Sequence, residues 1–162
     1  MSGPVRVLFV CLGNICRSPL AEGVFRHLAK ARGLAGAYEV DSAGTGAWHV
    51  GEPPDPRSAE VARRHGVELA GAARQVVADD FERFDWILAM DRANLRDLAA
   101  LRGANGRAQL RLFREFDPEG GERDVPDPYY GGPGGFEKVF EMVRRTSEAL
   151  LEELERARTA GS

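Results

Sequence analysis

Residues Val5 to Leu20 form a unit that few folds can accommodate. The stretch Val5-Arg6-Val7-Leu8-Phe9-Val10 is followed by Cys11-Leu12-Gly13-Asn14-Ile15-Cys16-Arg17-Ser18 and then by the helical pattern that opens at Pro19-Leu20. The first piece lacks apolar/polar alternation, which suits a strand buried on both faces, as in parallel sheets covered by helices on either side. A strand that turns through a tight glycine-containing loop into a helix start builds a ring of backbone N–H groups. Here that ring carries a thiol, Cys11, at its floor and a guanidinium, Arg17, on its rim. It is shaped for a tetrahedral dianion.

The remaining pattern supports the same architecture. Ser18-Pro19 reads as a helix cap followed by a first-turn proline, and Leu20, Val24, Phe25 and Leu28 recur at helical spacing up to Gly33. A second strand is expected over Tyr38–Ser42, closed by Ala43-Gly44-Thr45-Gly46. Prolines 53, 54 and 56 block regular structure before a helix over Ser58–His65. Asp80 to Phe84 is short and helical in character, Asp85–Met90 is a third strand, and a helix follows Asp91 as far as Leu101. Gln109–Phe113 is a weaker fourth strand, Asp117–Gly135 is loop, and Phe136–Arg158 is a long terminal helix. Strands alternating with helices predict an α/β three-layer sandwich, a four-stranded parallel sheet flanked by helices on both faces. Residues 1–158 are expected to form one domain, with a frayed end at 159–162. Ligands of such sheets bind at the carboxyl ends of the strands, where Cys11, Ser42 and Asp91 converge.

Composition narrows the partners. The chain has 162 residues, 43% of them apolar, and a net charge of −3, with no basic stripe for nucleic acid. No apolar run approaches the roughly 18–20 residues of a membrane span. Met1-Ser2-Gly3-Pro4 runs straight into the first strand and leaves no room for a signal peptide, so a cytoplasmic location is expected. The chain is also expected to be mainly a monomer. Two cysteines five residues apart suit neither a disulfide framework nor a zinc site.

The loop answers two needs of phosphoryl transfer. The thiolate, not the thiol, attacks, and N–H dipoles at a helix start together with Arg17 favour that anion. Ser18 can donate to the sulfur and ease its departure. The N–H groups of residues 12–17 can hold the phosphoryl oxygens, and the planar fork of Arg17 can grip two of them as a lysine could not. Gly13 permits close approach, and Asn14 tolerates the left-handed conformation. The third need, a proton for the leaving oxygen, points to Asp127 in Asp124-Val125-Pro126-Asp127-Pro128-Tyr129-Tyr130, where flanking prolines restrict its motion. The two tyrosines offer flat walls.

These motifs, together with D-S-A-G-T at 41–45, A-R-Q at 73–75 and M-D-x-x-N-L-R-D-L at 90–98, resemble the low-molecular-weight protein tyrosine phosphatase family. The resemblance implies phosphotyrosyl proteins as substrates, a phosphate or sulfate ion in the loop, and no metal or organic cofactor. Cys11 is then the nucleophile of a cysteinyl-phosphate intermediate, Arg17 the phosphate clamp and Asp127 the general acid and base. Asn14, Ser18 and Ser42 form a supporting hydrogen-bond network, with Asp91 behind it. Leu12, Ile15, Trp48, Tyr129 and Tyr130 line the slot for the substrate ring. Cys16 has two readings, a packed core thiol or a guard that traps oxidised Cys11 as a disulfide, and His49 is read as a solvated loop residue. One departure stands out: Gly71 occupies a position where family members often carry a histidine of the asparagine network. Three other activities compete. Thiol-coupled arsenate reductases of the same fold need distal cysteines that this chain lacks. A phosphoarginine phosphatase differs by a threonine in place of Ile15. A non-catalytic phosphotyrosine binder is expected to lose Cys11 or Asp127, and both are present.

Overall fold

The computed structural model describes residues 3–104, 106–120, 123–128 and 134–160. Four strands, β1 (Val5–Cys11), β2 (Tyr38–Gly44), β3 (Trp86–Ala89) and β4 (Gln109–Leu112), form one sheet in the order β2-β1-β3-β4, with every pairing parallel. The helices are α1 (Arg17–Ala31), α2 (Pro56–Arg64), α3 (Asp80–Arg83), α4 (Arg92–Leu101) and α5 (Gly134–Ala160).

Both faces of β1 are buried, as its sequence demands. Val7 and Phe9 join Leu20, Val24 and Phe25 of α1 and Val139, Phe140 and Val143 of α5 in one core. Leu8 and Val10 point the other way, into a smaller core with Phe81, Ile87 and Leu98. Helices therefore cover both faces, and the sandwich predicted from the sequence is the observed one. Among the described residues no helix is long and apolar enough to cross a membrane.

Several boundaries shift for physical reasons. Helix α1 starts at Arg17, with Cys16 at its N-cap and no side-chain cap; Ser18 is thus not the cap, because its hydroxyl is drawn to the Cys11 sulfur. Helix α2 starts two residues earlier than expected. Asp55 caps it through the Arg57 N–H, and Pro56 takes the first-turn position where a missing N–H costs nothing. Strand β2 runs on to Gly44, so Ser42 lies inside it and not past its end. Helix α5 continues through Thr159 and Ala160, where fraying was expected.

The segment after β4 is fastened to α5 by a buried charge. The Asp117 carboxylate, fully buried, accepts from Arg114 Nε at 3.0 Å and from Arg145 Nε and Nη2 at 2.9 Å each.

Candidate active site

Cys11 is the last residue of β1, and the chain leaves the sheet there to enter the loop before α1. The order β2-β1-β3 means that the chain goes one way from β1 to reach β2 and the other way to reach β3, so a crevice opens at these carboxyl ends. Cys11 Sγ receives the Asn14 N–H at 3.3 Å and lies 3.0 Å from Ser18 Oγ. Asn14 has φ of +58°, the left-handed turn that carries the loop around the sulfur. It is the one non-glycine residue with positive φ among those described.

Asn14 is also the hub of the support. Its amide nitrogen donates to Ser18 Oγ at 2.8 Å and to Ser42 Oγ at 3.0 Å, and its oxygen accepts the Arg74 N–H at 2.9 Å. Ser42 donates onward to Glu22 at 2.6 Å, and Glu22 is paired with Arg26. The Arg74 side chain bridges Asp41 and the fully buried Asp80. Gly71, at φ of +86°, lines a small polar hollow beside Asn14, Glu22 and Ser42. The asparagine network is thus closed by Glu22, which no motif singles out, and by the backbone of Arg74, the middle residue of the A-R-Q motif.

Gly44 matters for a different reason. A methyl group on its Cα would stand 2.7 Å from the Leu12 carbonyl oxygen and 3.2 Å from Asn14 N, all backbone of the loop. Gly44→Ala is therefore expected to lower stability by about 1–3 kcal/mol, as overpacking against unyielding atoms does. The midpoint of urea unfolding measures it, and an unchanged midpoint would mean that the loop yields easily.

Arg17 is buried, and its Nη1 donates to Asp91 Oδ2 at 2.7 Å and to the Val125 carbonyl at 2.9 Å. Nη2 lies 3.6 Å from Asp127 Oδ2. Burial opposes the guanidinium charge, but Cys11, Asp91 and Asp127 outweigh it and hold the group above its ordinary pKa. Asp127, its side chain 38% exposed, stands at the mouth of a cleft of about 430 Å³ lined also by Cys11, Leu12, Ile15, Cys16, Trp48 and His49. Trp48 is 72% exposed, an apolar flap at the rim. His49 is not merely solvated: its ring packs where a Gly13 side chain would be, and Nδ1 lies 3.0 Å from Glu52. Tyr129 and Tyr130, expected walls, lie outside the described residues. Cys11 and Cys16 are both free thiols. Burial above all, with the Asp55 charge, pushes the Cys16 thiol far up.

The structure thus brings Cys11, Leu12, Gly13, Asn14, Ile15, Cys16, Arg17, Ser18, Ser42, Trp48, Asp91 and Asp127 to one end of the sheet. The family model of low molecular weight phosphotyrosine protein phosphatase matches residues 6–160. A protein of Streptomyces coelicolor named low molecular weight protein-tyrosine-phosphatase is 51% identical, over 90% of this chain and 91% of its own. A Schizosaccharomyces pombe protein named low molecular weight phosphotyrosine protein phosphatase is 44% identical, over 95% and 99%. A crystal structure of a protein tyrosine phosphatase from Entamoeba histolytica superposes with a TM-score of 0.90 at 37% identity, covering 95% of this chain and 99% of that one. A loop that wraps a strand-end thiol in this way, and a match along almost the whole sequence, have one explanation: the chain belongs to the low molecular weight phosphotyrosine protein phosphatase family.

Proposed function

We propose that the chain hydrolyses phosphotyrosine in proteins by double displacement through Cys11. The observation that carries this reading is the sulfur at the cleft floor, receiving the Asn14 N–H at 3.3 Å, with Arg17 and Asp127 paired above it at 3.6 Å. A phosphoryl dianion entering the loop takes N–H donors of residues 12–17 and the Nε–Nη2 edge of Arg17, since Nη1 is held by Asp91 and Val125. The phosphate displaces Asp127 from Arg17 and leaves its carboxyl beside the bridging oxygen.

In the first step the Cys11 thiolate attacks phosphorus. The P–O bond to tyrosine breaks, and Asp127 gives its proton to the departing phenolate. In the second step Asp127, now a carboxylate, takes a proton from water as that water attacks phosphorus. The P–S bond breaks, and sulfur leaves as thiolate with the Ser18 hydroxyl turned toward it, 3.0 Å away. Fixed donors around the phosphoryl group need no reorganisation as charge moves, which is where such sites gain most of their rate.

Leu12, Ile15 and Trp48 supply the apolar walls for a ring. The second reading, a phosphoarginine phosphatase, would set a charged guanidinium against Ile15, whose side chain offers it no hydrogen-bond partner. Cys16 opens on the same cleft and we read it as the partner that would close a disulfide on oxidised Cys11; held as a neutral thiol by its burial, it would do so slowly.

Asp127→Ala is expected to lower kcat/KM for phenyl phosphate by about 10²–10⁴-fold, the range for losing a general acid. The loss should be smaller on p-nitrophenyl phosphate, whose phenolate leaves without help. Equal losses on both would remove Asp127 as the acid. Turnover of matched phosphotyrosyl and phosphoarginyl peptides decides the substrate, and faster release from the phosphoarginyl peptide would favour the second reading.

A further inference from the structure

The segment that carries Asp127 is neither helix nor strand, yet it has to present a carboxyl group reproducibly. Besides the Asp127–Arg17 pair, it is anchored two and three residues upstream. Val125, fully buried, donates to the Met90 carbonyl at 2.7 Å and accepts from Arg17 Nη1 at 2.9 Å. The Asp124 carbonyl accepts from Arg114 Nη1 at 3.1 Å. A further anchor is a side chain: Asp124 Oδ1 accepts the Arg92 N–H at 2.9 Å, and its two oxygens face Arg92 Nε and Nη2 at 3.2 and 3.3 Å.

Arg92 is the first residue of α4, so its N–H is one of the donors a helix start leaves unpaired, and the helix dipole favours a carboxylate there. Burial opposes the Asp124 charge, but the Arg92 contacts prevail and hold its carboxyl below the ordinary range, so the grip exists at neutral pH. One residue before Arg92, Asp91 caps the same helix through the Asn94 N–H at 2.7 Å and holds Arg17. One helix turn therefore registers both the phosphate clamp and the segment bearing the acid. From Asp124 to Asp127 the chain passes through Val125 and Pro126, with Pro128 beyond, so fixed proline φ angles leave few ways to absorb a shift.

We propose that Asp124, through Arg92 and the N-terminus of α4, is a positioning residue that sets where the Asp127 carboxyl stands against the leaving oxygen. This rests on the reading of Asp127 as the general acid.

The test measures kcat/KM for phenyl and p-nitrophenyl phosphate in wild type, Asp124→Ala, Asp124→Asn and Asp127→Ala, and in the double variant of Asp124→Ala with Asp127→Ala. Asp124→Ala is expected to lose about tenfold or more on phenyl phosphate, and only about two- to threefold on p-nitrophenyl phosphate, as misplacement of an acid would do. Inhibition by inorganic phosphate should stay within about twofold, and Asp124→Ala should add nothing once Asp127 is gone. Asp124→Asn, which keeps an acceptor for the Arg92 N–H, should fall between, and it carries the comparison where Asp124→Ala folds poorly. Equal losses on both substrates, or losses that add to those of Asp127→Ala, would make Asp124 a structural residue only and overturn the proposal. An Asp127→Ala variant with no leaving-group preference in its loss would instead refute the acid reading, and the proposal with it.

Discussion

Cys11→Ser should abolish turnover while leaving the phosphate site in place. The expected fall in kcat is on the order of 10⁶-fold, the scale recorded when a covalent nucleophile is deleted from another hydrolase. The reason is the leaving and attacking power of sulfur: a serine hydroxyl in the same position stays protonated and attacks phosphorus poorly. The ring itself is untouched, since Asn14 is fixed by Ser18, Ser42 and Arg74 independently of the sulfur. Inorganic phosphate should therefore bind Cys11→Ser at least as well as wild type, because a negative charge has been removed from the floor of the site. Steady-state kinetics and calorimetric titration with phosphate read the two quantities separately. Undiminished hydrolysis would end the covalent mechanism. Loss of phosphate binding together with turnover would show that the sulfur also organises the loop.

The largest effect on stability is expected at Asp117, far from the chemistry. Asp117→Ala leaves Arg114 and Arg145 facing a low-dielectric site without their shared counter-ion. Removing one partner of such a pair costs about 3–5 kcal/mol, which corresponds to a melting temperature lower by about 6–20 °C for a domain of this size. The pH dependence carries the sign. The Arg145 hydrogen bonds, opposed by burial and reinforced by the Glu119 N–H and Arg114, hold the Asp117 carboxyl far below its usual value of 3.8. A depressed folded-state pKa stabilises fully above the unfolded value and progressively less as pH falls through and below it. The gap between wild type and Asp117→Ala should thus be constant from neutral pH to about 5 and shrink below about 4. Urea unfolding across that range measures it, and a gap that stays constant to pH 3 would refute the electrostatic account.

The parts of the site that lie in one stretch of chain were legible in the sequence; those assembled from backbone atoms and distant segments were not. Cys11, Asn14 and Arg17 occupy seven consecutive positions, and their residue types answer directly to the needs of an anion. Asp127 stood out through its flanking prolines. By contrast, nothing in the sequence says that the Val125 carbonyl meets Arg17, that the Arg74 N–H closes the Asn14 network, or that Glu22 receives Ser42. These bonds join residues 20 to 108 positions apart. Gly44 looked like a turn glycine and proved to be the point where β2 brushes the loop backbone. Ser18-Pro19 shows the opposite hazard. Locally it is good helix-start grammar, but the sulfur competes for the hydroxyl, and the helix begins two residues sooner. His49 carried no periodic signal, and only the close approach to Gly13 puts it in the wall.

The placement of β1 in the middle of an all-parallel sheet has a bearing on how the molecule comes into being. Its partners begin at Tyr38 on one side and Trp86 on the other, and no adjacent pair of strands in the sheet can form as a hairpin. Long loops must close before any pairing is rewarded, which makes such sheets slow to assemble. Cys11 and Arg17 are synthesised more than a hundred residues before Asp127, and α5, which packs over β1, follows all three. A partly made chain can hold the anion-binding loop sequence and still possess no complete catalyst. Hydrolysis thus asks for more than the eight residues around Cys11: segments more than a hundred residues apart must have met at one end of the sheet, so a simple colorimetric assay also reads that long-range assembly.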